Sequence, residues 1–267
     1  MERPATTRFR TILFGAIVPF LFLFTSTVLI LAFDLDRYVC DLCYQDGRWI
    51  GGEAGSVCKT LYDVGEIPGL ILGIGGCVVG TVSLLWKRWK PYRNPAFFLA
   101  ASLALGPGLL VNAILKPNWS RPRPVHVEEF GGSTKFVGVF GFAAEGNYKS
   151  FPCGHASVAF YMIAPAFLLY RTRFRLAAAT FAFGLAFGCS VGVARIMQGG
   201  HFLSDVVRAG GMVYITCLLT AILFGFVGRA EKPSSAEQEE EATILNLETY
   251  RQKQPSTAAA NDQRHAA

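Results

Sequence analysis

Long apolar runs, separated by short polar or basic connections, set the pattern of this chain. Six stretches, 11–33, 68–86, 95–115, 156–170, 176–193 and 206–227, carry few or no ionisable residues. A helix needs about 20 mostly apolar residues to cross a bilayer core. The pattern therefore predicts an all-α polytopic bundle of six transmembrane helices. The fourth and fifth stretches are short, and are expected to extend by a turn into the polar residues at their outer ends. The first has an apolar run longer than the roughly 7–15 residues of a signal peptide, with no small-residue cleavage site after it, and reads as a retained span. Gly73-Ile-Gly-Gly76 lies inside the second stretch, where small residues let helices approach closely.

Composition agrees with a membrane protein. The chain has 267 residues, is 52% hydrophobic and carries a net charge of +6, with a mean hydropathy of +0.35. The basic residues alternate with the spans. Arg3, Arg8 and Arg10 precede the first, Lys87, Arg88, Lys90 and Arg93 fill the second connection, Arg171, Arg173 and Arg175 the fourth, and Arg229 follows the sixth. Basic flanks mark cytoplasmic loops, so both termini are expected in the cytoplasm, and the charge is an orientation signal with no nucleic-acid partner implied. Segments 34–67 and 116–150 then face outward. Cys40, Cys43 and Cys58 share the first outer segment, where a disulfide is favoured in an oxidising compartment; free thiols, and a zinc site that lacks a fourth ligand, are the alternatives. Residues 1–230 read as one membrane domain. Residues 231–267, polar and biased around Glu237-Gln-Glu-Glu-Glu241, read as a disordered cytoplasmic tail, with a short amphipathic helix possible near 244–250.

Three short blocks at the mouths of the spans carry the chemistry. They are Lys116-Pro-Asn-Trp-Ser-Arg121-Pro-Arg123-Pro124, Phe151-Pro152-Cys153-Gly154-His155, and Arg195-Ile-Met-Gln-Gly-Gly-His201-Phe-Leu-Ser-Asp205. Lys116, Arg123 and Arg195 are cations that form a phosphate cradle, the arginines through a bidentate fork and the lysine as a point charge. Two histidines can divide the work of nucleophile and proton donor. On a helix, His201 and Asp205 four residues apart share a face, so the carboxylate can fix one imidazole nitrogen and leave the other free. The turn at Gly154 can bring a backbone N–H to a phosphate oxygen at a helix start. Arg121 reads as a headgroup or rim contact. No Asp/Glu/His cluster has a metal-cage pattern, so metal-independent chemistry without a cofactor is expected.

These blocks resemble the type 2 phosphatidic acid phosphatase superfamily of integral membrane lipid phosphatases, whose pattern is Lys-x6-Arg-Pro, Pro-Ser-Gly-His and Ser-Arg-x5-His-x3-Asp. The spacings fit without insertion. Cys153 stands where the family has serine, and Ala194 precedes Arg195 in place of serine. The resemblance implies that His201 attacks phosphorus to form a phosphohistidine, that His155 protonates the leaving oxygen, and that Cys153 lies on the phosphate side as a weaker hydrogen-bond donor. A cysteine-phosphatase loop is missing, since Ala159 stands six residues after Cys153. The resemblance also implies a lipid phosphate entering from the bilayer at the periplasmic face of the inner membrane, where Trp119, Phe130 and Phe151 fit an interfacial belt. The run Gln198–Asp205 and the segment Leu61–Pro68 look like bacterial members that dephosphorylate lipid A at its 1- or 4′-phosphate. Undecaprenyl pyrophosphate, phosphatidylglycerol phosphate, phosphate transfer to a second lipid and a silent lipid-binding relative are the alternatives.

Overall fold

A computed structural model of the chain describes residues 5–53, 56–141 and 146–228, with 243, 244 and 249. The predicted tail at 231–267, with its short helix, lies outside the described residues apart from these last three. Thr11–Gly228 form one compact unit.

The described residues are mostly helical. Helix α1 (Ala5–Ala32) is followed by α2 (Leu35–Cys43), a hairpin of β1 (Tyr44–Gln45) and β2 (Arg48–Trp49), α3 (Val57–Val64) and α4 (Ile67–Leu85). Ser56 starts α3 by accepting the Lys59 N–H on its Oγ at 3.2 Å, as a helix cap does. A 3-10 turn then leads into α5 (Arg93–Leu103), which runs on as a π-helical stretch (Ala104–Leu115) and ends in the single turn α6 (Lys116–Asn118). Pro107 lies in that stretch. It has no N–H to give and its ring crowds the preceding turn, so a widened coil accommodates it. The described residues of the segment 119–153 are irregular apart from two 3-10 turns. Helices α7 (Gly154–Phe160), α8 (Ala164–Leu169), α9 (Phe174–Met197) and α10 (Leu203–Leu223) complete the unit.

Among the described residues, five helices are long and apolar enough to cross a membrane: Gly15–Ala32, Val57–Leu85, Lys87–Asn118, Phe174–Met197 and Leu203–Leu223. Only 6% of the α1 window is buried. A helix apolar on all sides and exposed on nearly all of them belongs in lipid. The stretch read as the fourth span is the shorter Gly154–Leu169. It is broken at Tyr161–Ile163 because Pro165 cannot donate to the Tyr161 carbonyl one turn back. It is also the most enclosed element, with Ala156, Ala159, Phe160, Tyr161 and Ala164 all buried. Its small residues let α9 and α10 close around it, and Val206, Ala209, Val213 and Cys217 of α10 complete that core. A buried Ser102–Thr220 hydrogen bond (2.7 Å) ties α5 to α10.

A second, smaller cluster, of Cys40, Val127, Phe130 and Phe202, lies beneath α2 and the hairpin. It corrects two expectations. Phe130 and Phe151 are buried, so they pack an outer cap and do not form an interfacial belt; Trp119 packs tilted against Phe151 with centroids 4.8 Å apart. Cys40, Cys43 and Cys58 are free thiols. Cys40 faces the small cluster, Cys43 the main core, and the Cys58 Sγ approaches Met197 Sδ at 3.7 Å, so their side chains are spent on separate contacts.

The Gly73–Gly76 run packs as its composition implies. A Cβ on Gly76 would lie 2.8 Å from the Ala96 carbonyl of α5, whereas one on Gly75 would meet nothing within 4 Å. The two substitutions to alanine should therefore have opposite signs. Gly75→Ala gains helix propensity and is neutral or slightly stabilising, and Gly76→Ala forces α4 off α5 at about 1–3 kcal/mol. Thermal unfolding of the purified protein in detergent checks both.

Candidate active site

The three blocks converge where α6, α7 and the α9–α10 connection meet. Lys116 closes the π-helical stretch and lies over the start of α7: a Cβ on Gly154 would sit 2.8 Å from Lys116 Nζ and 2.6 Å from Asn112 Oδ1. Glycine at 154 is what admits the lysine. Arg195, in the last turn of α9, has its Nη1 held by Gln198 Oε1 at 2.5 Å. Its Nε is buried with no hydrogen-bond partner among the described residues. Lys116 feels the charges of Arg123, Glu66, Cys153 and Arg195, and His155 those of Arg195, His201, Lys116 and Arg123. The structure thus gathers the predicted cations and both histidines around one spot.

His155, second residue of α7, faces outward from this spot along two contacts that the sequence did not reveal. Its Nδ1 lies 3.5 Å from Glu66 Oε1, and its ring stacks on Tyr62, centroids 4.7 Å apart and planes 19° apart. The Arg195 guanidinium also lies over the Tyr62 ring, 4.5 Å from its centroid. Tyr62 and Glu66 come from the α3–α4 junction. Their signal was a carboxylate and an aromatic at the very edge of an apolar span, where a charge is costly unless it finds a partner.

His201 is 1% exposed, with Nδ1 3.6 Å from Asp205 Oδ2. The two residues are neighbours as expected, but at this distance Nδ1 has no hydrogen-bond partner among the described residues, and the two meet for another reason than a shared helical face. Helix α10 begins only at Leu203, and Asp205 sits in its first turn with Oδ2 accepting the Phe202 N–H at 2.9 Å. The carboxylate caps the helix start, and the chain entering that helix brings the imidazole back over it. Asp205 Oδ2 also accepts from Ser150 Oγ at 2.7 Å, and Oδ1 from Arg121 Nη1 at 2.5 Å.

Arg121 departs furthest from expectation. It is no rim contact but fully buried, and its Nη2 reaches Asp36 Oδ2 at 2.8 Å. An arginine within a Pro-rich outer connection gave no hint of this, because the carboxylates it meets are distant in sequence. Cys153 is buried too, as the N-cap of α7, its Sγ accepting the Ala156 N–H at 3.5 Å and adjoining the His201 imidazole. Burial alone would disfavour charge on either member of this pair. The thiol and Asp205 outweigh it at His201 and hold that imidazole above the ordinary histidine value. Burial pushes the Cys153 thiol up, and the adjoining His201 reverses this and holds it below the usual cysteine value. Among the described residues, no three His, Cys, Asp or Glu side chains come together as a metal site.

A known family matches where these residues lie. Residues 95–231 match the PAP2 superfamily. The chain is 42% identical over 145 residues to a lipid A 4′-phosphatase of Francisella tularensis subsp. novicida (strain U112), covering 53% of this chain and 64% of that protein. It is 33% identical over 142 residues to a lipid A 4′-phosphatase of Rhizobium leguminosarum, covering 48% and 59%. It is 36% identical over 121 residues to a lipid A 1-phosphatase of Rhizobium etli, covering 45% and 47%. The chain thus spans less than two thirds of the length of these curated relatives, and no solved structure matches it. With a match over more than half its length, and Lys116, Arg123, His155, Arg195, His201 and Asp205 all within that match, the chain belongs to the PAP2 superfamily.

Proposed function

We propose that this protein is a six-span inner-membrane phosphatase that removes a phosphate from lipid A, the 4′-phosphate first, through a phosphohistidine at the periplasmic face. The observation that carries it is the buried Arg195, whose Nε is unpartnered beside Lys116, Arg123 and two histidines. A buried donor left unmade costs about 1–3 kcal/mol, and a phosphoryl oxygen is the acceptor these cations suit. The names of the relatives favour the sugar phosphates of lipid A over other lipid phosphates.

The chemistry follows from the contacts. Asp205 Oδ2 accepts a hydrogen bond from His201 Nδ1–H, which fixes the tautomer and leaves Nε2 with its lone pair, a contact that tightens from 3.6 Å when substrate docks. Nε2 attacks phosphorus, the P–O bond to the sugar breaks, and His155 gives its proton to the departing oxygen. Lys116, Arg123 and Arg195 offset the charge on the equatorial oxygens. His155, now neutral and held at Nδ1 by Glu66, takes a proton from water, which attacks phosphorus. The P–N bond breaks and inorganic phosphate leaves. The cations supply the positive charge, so no metal is required.

Incubation with lipid A, phosphatidylglycerol phosphate and undecaprenyl pyrophosphate in chelator, followed by mass spectrometry, tests substrate and metal together. Lipid A should lose one phosphate at the 4′ position and inorganic phosphate should appear. Phosphate moving to a second lipid would instead mark a transferase. His201→Ala should abolish turnover on every ester. His155→Ala should be partly rescued by a good leaving group, which needs less protonation; equal loss on good and poor leaving groups would remove His155 from the acid role.

Cys153→Ser separates this mechanism from a cysteine nucleophile. Serine is a preferred N-cap, so α7 should hold or gain stability and turnover should persist. His201 works unprotonated, and its value is raised, so activity is present above that value and lost as pH falls through it. Removing the thiol lowers the value, and the acid limb of kcat against pH should move down. Loss of all activity would make Cys153 the attacking group.

Orientation has its own check. Lys135, exposed in the outer segment, should react as Lys135→Cys with an impermeant maleimide from the periplasm. Labelling only from the cytoplasm would overturn both the topology and an outer-leaflet substrate.

A further inference from the structure

The three motif blocks leave the buried pair Arg121 and Asp36 without a role. Asp36 lies on α2, outside residues 95–231, yet it is only 4% exposed and Arg121 is 0% exposed. Every nitrogen of the guanidinium is used. Nε donates to the Val137 carbonyl at 3.0 Å, Nη1 to Ser204 Oγ at 2.7 Å and Asp205 Oδ1 at 2.5 Å, and Nη2 to Asp36 Oδ2 at 2.8 Å. Its face lies over Phe202, 4.4 Å from the ring centroid. Asp36 in turn accepts the Ser204 N–H on Oδ1 at 2.8 Å and the Ser204 hydroxyl on Oδ2 at 2.6 Å.

Such a cluster is a poor way to stabilise a fold. Desolvating ions offsets most of what their attraction returns, and apolar replacements often hold a fold as well. Its geometry points elsewhere. Arg121 grips the one oxygen of Asp205 that does not face His201, so Oδ2 is left to Ser150, the Phe202 N–H and the imidazole. Charge matters equally. Arg121 and Asp205 alone would sum to zero, and a neutralised carboxylate would attract little positive charge onto His201. A second carboxylate brings the buried group to a net charge of minus one, which a protonated or partly charged imidazole completes.

We infer that Arg121 and Asp36 are positioning residues for phosphoryl transfer: Arg121 fixes the orientation of Asp205 against His201, and Asp36 restores the negative charge that Arg121 would otherwise cancel. The inference rests on His201 being the attacking group. It also gives α2 a part in the reaction, although no atom of α2 need touch substrate.

The test uses the full-length protein in detergent, with kcat, KM and thermal unfolding measured on the lipid phosphate that the wild type hydrolyses. Asp36→Asn keeps the shape and an acceptor for Ser204 while removing the charge. Its kcat should fall about tenfold with KM within about twofold, the mark of an interaction made in the transition state. The loss is smaller than the roughly 10⁴-fold seen when a carboxylate touching a catalytic histidine is neutralised. Arg121→Lys keeps the cation but has no fork to span two carboxylates, and should likewise lose kcat at constant KM. Ser204→Ala, which loosens Asp36 without changing charge, should keep kcat within about threefold of wild type. Wild-type kcat in Asp36→Asn overturns the inference, as does a loss that merely follows the folded fraction. Failure of both charge-site variants to accumulate as folded protein would make the pair structural and overturn it too. A wild type that releases no phosphate from any lipid phosphate overturns the functional reading itself, and this inference with it.

Discussion

Asp205 is a carboxylate sealed from water, and much of the outer half of the molecule is arranged around keeping it charged. An ionised group in such surroundings persists only when hydrogen bonds and an opposite charge replace its lost hydration. Its donors come from separate places: Arg121 and Ser150 from the long outer connection, the Phe202 N–H from the entry to α10. Each of those segments is irregular on its own. Their convergence on one carboxylate, with Asp36 of α2 behind them, gives the outer cap a fixed shape that its short 3-10 turns could not.

The bundle below supplies the complementary constraint. Helices α7 and α8 are central and wrapped by neighbours, so they need not be as long as lipid-facing helices. Being central, α7 can start in the interior and present Gly154 and His155 to Lys116 and Arg195 from inside the protein, away from lipid. Charged side chains at membrane depth are tolerated in this arrangement because they face one another and a polar cap.

How far the sequence could be read differed by kind of interaction. Hydropathy located helices at the predicted stretches, five of them long and apolar enough to cross a membrane among the described residues, because a stretch such as 206–227 has one physical solution in lipid. Spacing likewise marked Lys116, Arg123, His155, Arg195 and His201, since they sit in compact blocks. The pairing of His201 with Asp205 was legible, though its cause lies in a helix start and not in a helical face. What stayed hidden depends on contacts between distant segments. Arg121 looked like a surface residue because nothing near it in sequence is acidic, and Asp36 is 85 positions away. Phe130 and Phe151 looked interfacial for the same reason, as burial under an outer cap leaves no periodic trace. Glu66 and Tyr62 stood in the open as an odd polar pair at the edge of a span, but without His155 beside them they had no chemistry.

The π-helical stretch has a consequence of a different kind. Along an α-helix each residue turns the chain by about 100°, and the wide coil of Ala104–Leu115 advances it by less. Lys116 follows directly, so the direction in which its ammonium points is indexed by how many residues the coil holds. Any gain or loss of one residue there would swing the lysine away from Gly154 while leaving every side chain in the segment chemically unchanged. The cation's place in the site is therefore stored as a count along the backbone.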